Sequence, residues 1–280
     1  MRTFQGDALI LDVFDLHEKD RIVTLLTRER GKKKGVARGA RRKYSRFAGQ
    51  LQPLAKVRVR WFEKEDRDLV RIGEVELERP ADRLQQDLEG ILLGSYLAEH
   101  LTEFVQEDEP GDLWFRLLDS TLEALLRGLD RDLAARYFEA WVLRLSGIFP
   151  APRECPLCER PFLAETADEA ERAETAGTAV LPAREDFLVC AECARGAGGA
   201  GPATGLTVEA DVLRFLELIG RRRLVRLART PPDRDTLRRA ERLAAEVRRR
   251  FLGRELRSYG VIRSLSPTLT APPDTPGDPP

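Results

Sequence analysis

Histidine and methionine are nearly missing from this chain: two His and one Met in 280 residues. So few imidazoles leave little room for histidine-based acid–base chemistry or a His-built metal site. His17 stands before Glu18, Lys19 and Asp20 and reads as a turn residue, and His100 reads as a packed or solvated helix residue. Neither has a nucleophile or metal partner in sequence reach. A Walker-type phosphate loop, a Gly-x-Ser-x-Gly elbow and paired dinucleotide glycines are also missing. No catalytic residue is assigned, and the chain reads as a non-enzyme. No apolar run approaches the roughly 18 residues of a membrane span. The start, MRTFQGDALILDVFD, offers neither a basic stretch before an apolar one nor a small-residue cleavage site. The expectation is a cytoplasmic protein with no membrane partner.

Net charge is missing too, with 47 basic and 47 acidic residues, yet the balance hides segregation. Residues 1–80 sum to +7, 81–150 to −8, 151–206 to −5 and 207–263 to +8. A field of one sign on the scale of a domain attracts partners of the opposite sign whatever the whole chain sums to. Between Arg28 and Arg60 stand thirteen Lys or Arg against one acid, Glu29. That density points to a polyanion. Each cation that neutralises a phosphate releases a condensed counterion, giving tight, salt-sensitive binding with little sequence preference. A solvated face or flexible loop would carry the same charges, but a run this poor in acids has no internal salt-bridge partners. Tyr44, Phe47, Trp61 and Phe62 lie in or near the run. Tyr44 is the best candidate for stacking on unpaired bases, while Trp61 shares a strand face with Val57 and Val59 and reads as core.

Residues 1–80 read as β structure. ALILDVFDL, RIVTLL, GVARGA, LAKVRVRWFE and LVRIGEVEL are short β-rich runs separated by turns, enough for a five-stranded small barrel. Lys32, Lys33 and Lys34 follow Gly31 at an apparent turn. In the fourth run, Val57, Val59 and Trp61 alternate with Lys56, Arg58, Arg60 and Phe62, so period-2 geometry puts aliphatics on one face and cations on the other.

After Pro80 the period changes to that of a helix. Three helices are expected: one from Leu88 to Phe104, one opening at Pro110, and one from about Asp130 to a Gly147 stop. Thr207 is placed as the N-cap of VEADVLRFLELI. A long helix is expected from near Asp233, with the apolar stripe Leu237, Ala240, Leu243, Ala244, Val247 and Phe251. Arg238, Arg239, Arg242, Arg248, Arg249 and Arg250 lie largely off that stripe. The stretch AETADEAERAETAGTA reads as a low-complexity acidic insertion and SPTLTAPPDTPGDPP as a disordered tail.

Cys155-Pro-Leu-Cys158 and Cys190-Ala-Glu-Cys193 form two C-x2-C knuckles. This spacing lets four thiolates surround one tetrahedral Zn2+ and closes its coordination sphere, which implies one structural ion with no open position. The fold class is therefore α+β: an N-terminal five-stranded barrel over 1–80, helices over 81–150 and 207–263, a four-cysteine zinc module over 151–206, and a tail over 264–280.

This order of parts resembles the RecO family of bacterial recombination mediators over about residues 4–263. The resemblance rests on Thr27-Arg28-Glu29-Arg30-Gly31, Val36-Ala37-Arg38-Gly39-Ala40-Arg41, Arg46, Gly49, Leu51-Gln52-Pro53, the first strand Ala8-Leu9-Ile10-Leu11 and the cysteine pairs. It implies an OB-fold for the barrel and a nucleoid-associated DNA-repair protein. Such a protein binds single- and double-stranded DNA, anneals strands and, with RecR, loads RecA onto DNA coated by single-stranded-DNA-binding protein. It implies DNA contacts at Lys32, Lys33, Lys34, Arg38 and Arg41, widened by Arg42, Lys43, Arg46, Arg58 and Arg60. The Arg-rich helix suits the acidic C-terminal tail of the single-strand binder. Two other classes remain: an RNA-binding OB and zinc-ribbon protein of the translation or ribosome-assembly machinery, and a metal-dependent nuclease.

Overall fold

The computed structural model describes residues 1–65, 68–149, 151–163, 177–196 and 205–265. Most of the low-complexity acidic stretch and the Pro-rich tail lie outside the described residues. The chain forms two compact units. One is Met1–Arg131 joined by the segment from Leu256, and the other runs from Asp132 to Glu255. The expected helical stretch of 81–150 and 207–263 is thus shared between them.

The first unit contains β1 (Arg2–Leu16), β2 (Asp20–Thr27), β3 (Gly31–Ala37), β4 (Lys56–Glu63) and β5 (Val70–Arg79). Their hydrogen bonds run in the ring order β1-β2-β3-β5-β4, and β4 returns to β1, so the sheet closes on itself. β1 is long enough to serve two neighbours. Its first half pairs with β4, as in Phe4 opposite Trp61, and its second half with β2, as in Val13 opposite Val23. A register shift between Ile10 and Asp12 lets the strand bend from one partner to the other. The ring closes through a short parallel pairing of Gly35 with Val70 and Val36 with Arg71. Only glycine fits at that seam: a Cβ on Gly35 would stand 2.7 Å from both Ile72 Cδ1 and Val70 Cγ2.

Alternation fills the interior. Val57, Val59 and Trp61 point into a core with Ala8, Ile10, Val23, Leu25 and Ile72, while Arg58 between them is exposed. Trp61 is therefore core, stacked on Phe4 with centroids 5.7 Å apart. Phe47 and Leu51 enter the same core from the connection between β3 and β4.

α1 (Leu88–Phe104) and α2 (Asp112–Leu126) pack on the strands, and α8 (Arg257–Leu265) packs on α1. Asp87 caps α1 by accepting from the Gly90 N–H at 2.8 Å. His100 is buried, with Nδ1 2.8 Å from the Tyr96 carbonyl and an edge-on contact to the Tyr96 ring. His17 is exposed in the β1–β2 turn with φ 52°. His17 is thus a turn residue, and of the two readings open for His100, packed or solvated, the structure shows the packed one.

Among the described residues the second unit contains α3 (Arg131–Leu145, entering from the first), a sheet of β6 (Thr178–Pro182), β7 (Val189–Cys190) and β8 (Gly205–Glu209), and four further helices. These are α4 (Ala191–Gly196), α5 (Ala210–Arg221), α6 (Leu224–Leu227) and α7 (Arg234–Leu252). Thr207 is a residue of β8, opposite Val180, and not a helix cap. Pairing with β6 holds the backbone extended up to Glu209, and α5 starts two residues later than a cap at Thr207 would set it. The Asp233 side chain caps α7 by accepting from the Thr236 N–H at 2.7 Å. The α7 stripe is buried at Leu237, Ala240, Leu243, Ala244 and Val247, but Phe251 is exposed and Arg248 is buried. Glu255, just past the helix end, draws the Arg248 guanidinium inward, with Nη2 at 2.7 Å.

Candidate nucleic-acid interface and cysteine cluster

The cationic run divides into braced and open side chains. Gly31 makes the turn, with φ +56°, and its α-carbon sits so close to the Glu109 and Gln106 carbonyls that a Cβ would collide. The strand restarts at once, so Lys32, Lys33 and Lys34 belong to β3 and not to a turn. Alternation then decides their fates. The Lys32 ammonium donates to the Thr102 carbonyl at 2.6 Å. Lys33 is buried and lies 3.0 Å from Glu63, with Asp108 bonded to the same ammonium. Only Lys34 of the three is exposed.

Acids from outside the run supply the missing partners. Arg30 lies 3.6 Å from Glu63 and 3.8 Å from Asp108, and its guanidinium covers the Phe4 ring at 4.1 Å. Arg28 meets Asp112 at 3.8 Å, Lys56 meets Asp119 at 3.2 Å, and Arg60 meets Glu74 at 3.1 Å. Burial would raise the Glu63 carboxyl, but the Trp61 indole N–H, Lys33 and Arg30 hold it below its ordinary range. Asp12, at the β1 bend, goes the other way: burial raises it against the Val13 N–H and the Lys34 charge.

The connection from Arg38 to Ala55 is pinned at its base. Gly39 N–H donates to Asp20 at 2.7 Å, Arg41 N–H to the Lys19 carbonyl at 3.1 Å, and the Arg41 guanidinium to the His17 carbonyl at 2.9 Å. Arg41 also pairs with Asp15 at 3.3 Å. Arg38, Gly39 and Arg42 line an open cleft with the His17–Asp20 turn. Beyond that base, Arg42, Lys43, Tyr44 and Arg46 are exposed. Of the ten residues expected to contact DNA, Lys34, Arg38, Arg42, Lys43, Arg46 and Arg58 make no ion pair among the described residues, and neither does Lys32, whose ammonium is held by the Thr102 carbonyl. The structure brings Arg38, Arg42, Lys43 and Arg46 together on one connection. Arg58 stands apart on β4, flanked across the sheet by Asp7 and Glu76.

The second basic region is more occupied than its helical period suggests. Arg239 bonds to Asp211 and lies 3.1 Å from Glu209, Arg249 lies 2.8 Å from Glu246, and Arg250 donates to the Pro182 and Glu185 carbonyls at 2.7 Å. Arg238 pairs with Asp235 at 3.5 Å, leaving Arg242 exposed and without an ion pair among the described residues.

The four cysteines converge, as their spacing requires. All four Sγ atoms lie within 4.8 Å of one another, and Cys158 and Cys190 sulfurs are 3.7 Å apart. Four sulfurs about 2.3 Å from a central tetrahedral ion stand about 3.8 Å from each other. The donor set and its spacing therefore fit a tetrathiolate metal site and no disulfide, whose sulfurs would be about 2.05 Å apart. Burial would raise the Cys155 thiol, but backbone N–H groups of Cys190, Leu157 and Cys158 bring it down to about 7. Cys193 is pushed up by burial and by the three neighbouring thiols, the crowding of sulfurs that a bound cation relieves.

Residues 1–81 match the family model described as recombination protein O N terminal, and residues 85–260 match recombination protein O C terminal. The chain belongs to the RecO family. It is 32% identical to the DNA repair protein RecO of Anaeromyxobacter sp. (strain K), covering 94% of this chain and 97% of that protein. It is 32% identical to DNA repair protein RecO of Geobacter sulfurreducens, over 95% of this chain and 100% of that one. For DNA repair protein RecO of Koribacter versatilis the identity is 30%, over 93% and 98%. The RecO N-terminal match holds the whole cationic run, and the RecO C-terminal match holds the cysteine cluster. Asp108 and Asp119, which brace the run from α2 and the loop before it, lie in the C-terminal match. The signal for Asp108 was present in the sequence as Glu107-Asp108-Glu109 ahead of Pro110-Gly111, an acidic patch with no partner nearby, whereas Asp119 is a single acid on a helix and carries no such mark.

Proposed function

We propose that this RecO-family protein is a non-catalytic recombination mediator whose barrel is an OB-fold that binds single- and double-stranded DNA. It anneals complementary strands and, with RecR, helps load RecA onto DNA coated by single-stranded-DNA-binding protein. The observation that carries this is the β3–β4 connection, where Arg38, Arg42, Lys43 and Arg46 are exposed without an ion pair among the described residues. Charges held apart from carboxylates are the ones free to replace counterions on phosphate. Cations that screen two backbones at once also lower the repulsion between strands, so annealing needs no nucleotide hydrolysis.

A Zn2+ ion held by Cys155, Cys158, Cys190 and Cys193 is a structural cross-link: when bound it ties the Cys155–Cys158 knuckle to β7 and α4. For the acidic tail of the single-strand binder, the exposed Arg222, Arg223, Arg226 and Arg229 offer more uncommitted charge than Arg238–Arg250.

The deciding experiment is annealing of complementary oligonucleotides with and without a coat of single-strand binder. A mediator anneals through the coat. Annealing of naked strands alone would reduce the protein to a generic DNA binder.

A further inference from the structure

Resting on that DNA reading, we propose that Tyr44 is a base-stacking platform that makes this site distinguish unpaired from paired strands. An aromatic ring in water has lost the packing that usually holds it, so its exposure calls for a reason. Tyr44 is 89% exposed, whereas Phe47, three residues on, is 2% exposed. The difference is built by the connection itself. Successive turns, with Arg42 N–H to the Gly39 carbonyl at 3.1 Å and Ser45 N–H to the Arg42 carbonyl at 3.0 Å, fold it back on itself. The Ser45 hydroxyl then accepts from Phe47 N–H at 3.2 Å, and Phe47 and Leu51 are buried in the barrel core. Anchored on both sides, the backbone holds Tyr44 outward instead of letting it collapse.

Its neighbours are those a nucleotide requires. Lys43 Nζ lies 5.7 Å from the Tyr44 ring centroid, and Arg42 and Arg46 flank it without an ion pair among the described residues. A phosphate held by these cations brings its base within reach of the ring face. Stacking accepts any base, because each has a π-face, but a duplex keeps those faces covered by neighbouring pairs. The cations therefore act on both forms and Tyr44 on the unpaired form alone.

The test uses the full-length protein with a labelled oligo(dT), a duplex of the same length and an abasic strand of the same length, all at one salt concentration. Tyr44→Ala is expected to weaken oligo(dT) binding roughly tenfold. Duplex and abasic binding should stay within about twofold, and Tyr44→Phe should retain wild-type affinity for all three. In Tyr44→Trp, oligo(dT) should quench more fluorescence than the abasic strand, beyond the wild-type background. This second variant keeps an aromatic ring, so it reads stacking even where alanine disturbs the connection. Equal losses on all three ligands, or none, together with equal quenching, would overturn the assignment. Failure of the unmodified protein to bind any of the ligands would instead overturn the DNA reading itself.

Discussion

The Lys33 ammonium lies 3.0 Å from Glu63, on a strand whose outward neighbour Lys34 is open to water. Glu63 also accepts the Trp61 indole N–H at 2.9 Å, so one carboxylate ties β3 to the aromatic core of the barrel. Lys33 therefore belongs to the fold more than to the proposed DNA surface. Lys33→Met should lower unfolding stability by about 2 kcal/mol, the scale of a charged hydrogen bond removed from a mostly buried site. Urea unfolding checks this. At equal folded fraction, DNA affinity should change less than with Arg42→Ala.

The same pair sets an acid limit. Glu63 is held below its ordinary value of 4.5, so its contribution is complete above that pH and is lost as pH falls through the lower folded-state value. Protonation then leaves Lys33 without a charged partner on that side. The wild type should lose stability below about pH 4.5 more steeply than Glu63→Gln, whose side chain does not titrate over that window. Urea midpoints across the acid range would show the two curves converging.

Salt dependence separates the open cations from the braced ones. For single strands, log affinity falls with log salt by about 0.7 for each phosphate contacted. Replacing Arg42, Lys43 and Arg46 together by Ala should reduce that slope by roughly 2 if each meets one phosphate. Replacing Arg28 and Lys56, which are paired with Asp112 and Asp119, should leave it nearly unchanged. Anisotropy titrations at several salt concentrations give both slopes. An equal reduction by the two sets would refute the division.

What the sequence disclosed depends on range. Alternation at Val57, Val59 and Trp61 is a local pattern, and both the strand and its inward face follow from it. The helix from Leu88 follows in the same way from its apolar period, and so does the second helix, although it starts at Asp112 and not at Pro110. The two C-x2-C knuckles also needed no long-range knowledge, since four thiolates have few other ways to meet. The division of the lysines did depend on distant residues: Lys33 is bonded to Asp108, 75 positions away. Charge density marks where a polyanion is welcome, but only the fold decides which cations are already spoken for. At Thr207 a good capping residue was outweighed by pairing with β6, and at Arg248 a polar residue was drawn inside by Glu255.

Barrel closure makes a prediction of a different kind. The parallel contact of β3 with β5 passes through Gly35, and no side chain fits between Val70 and Ile72 there. Gly35→Ala should destabilise the protein by about 1–3 kcal/mol, the range for overpacking a filled core. Two core side chains must move, and a Cβ would also stand 3.0 Å from the Val70 carbonyl, which cannot. Gly49→Ala is the control: nothing lies within 4 Å of a Cβ there, so the crowding is absent and only the strain of φ +73° remains. Thermal unfolding of the two variants should separate packing from backbone strain.

Metal removal bears on the second unit. β7 contributes Cys190 and pairs with β6, which also pairs with β8, so the cysteine cluster adjoins a small sheet with few strands to support it. A sheet this small has little apolar area of its own, and an ion held by the four thiolates would supply the missing constraint. Chelation under denaturing-permissive conditions should release one zinc per chain and expose Val180, Leu181 and Val189 to hydrogen exchange. Cys190→Ser should do the same without a chelator. The β1–β5 amides should remain protected, since their core is built from other residues. Hydrogen exchange with and without metal, alongside zinc quantification, measures both halves of this expectation. Stoichiometric zinc that leaves exchange in β6–β8 unchanged would show that the sheet stands without it.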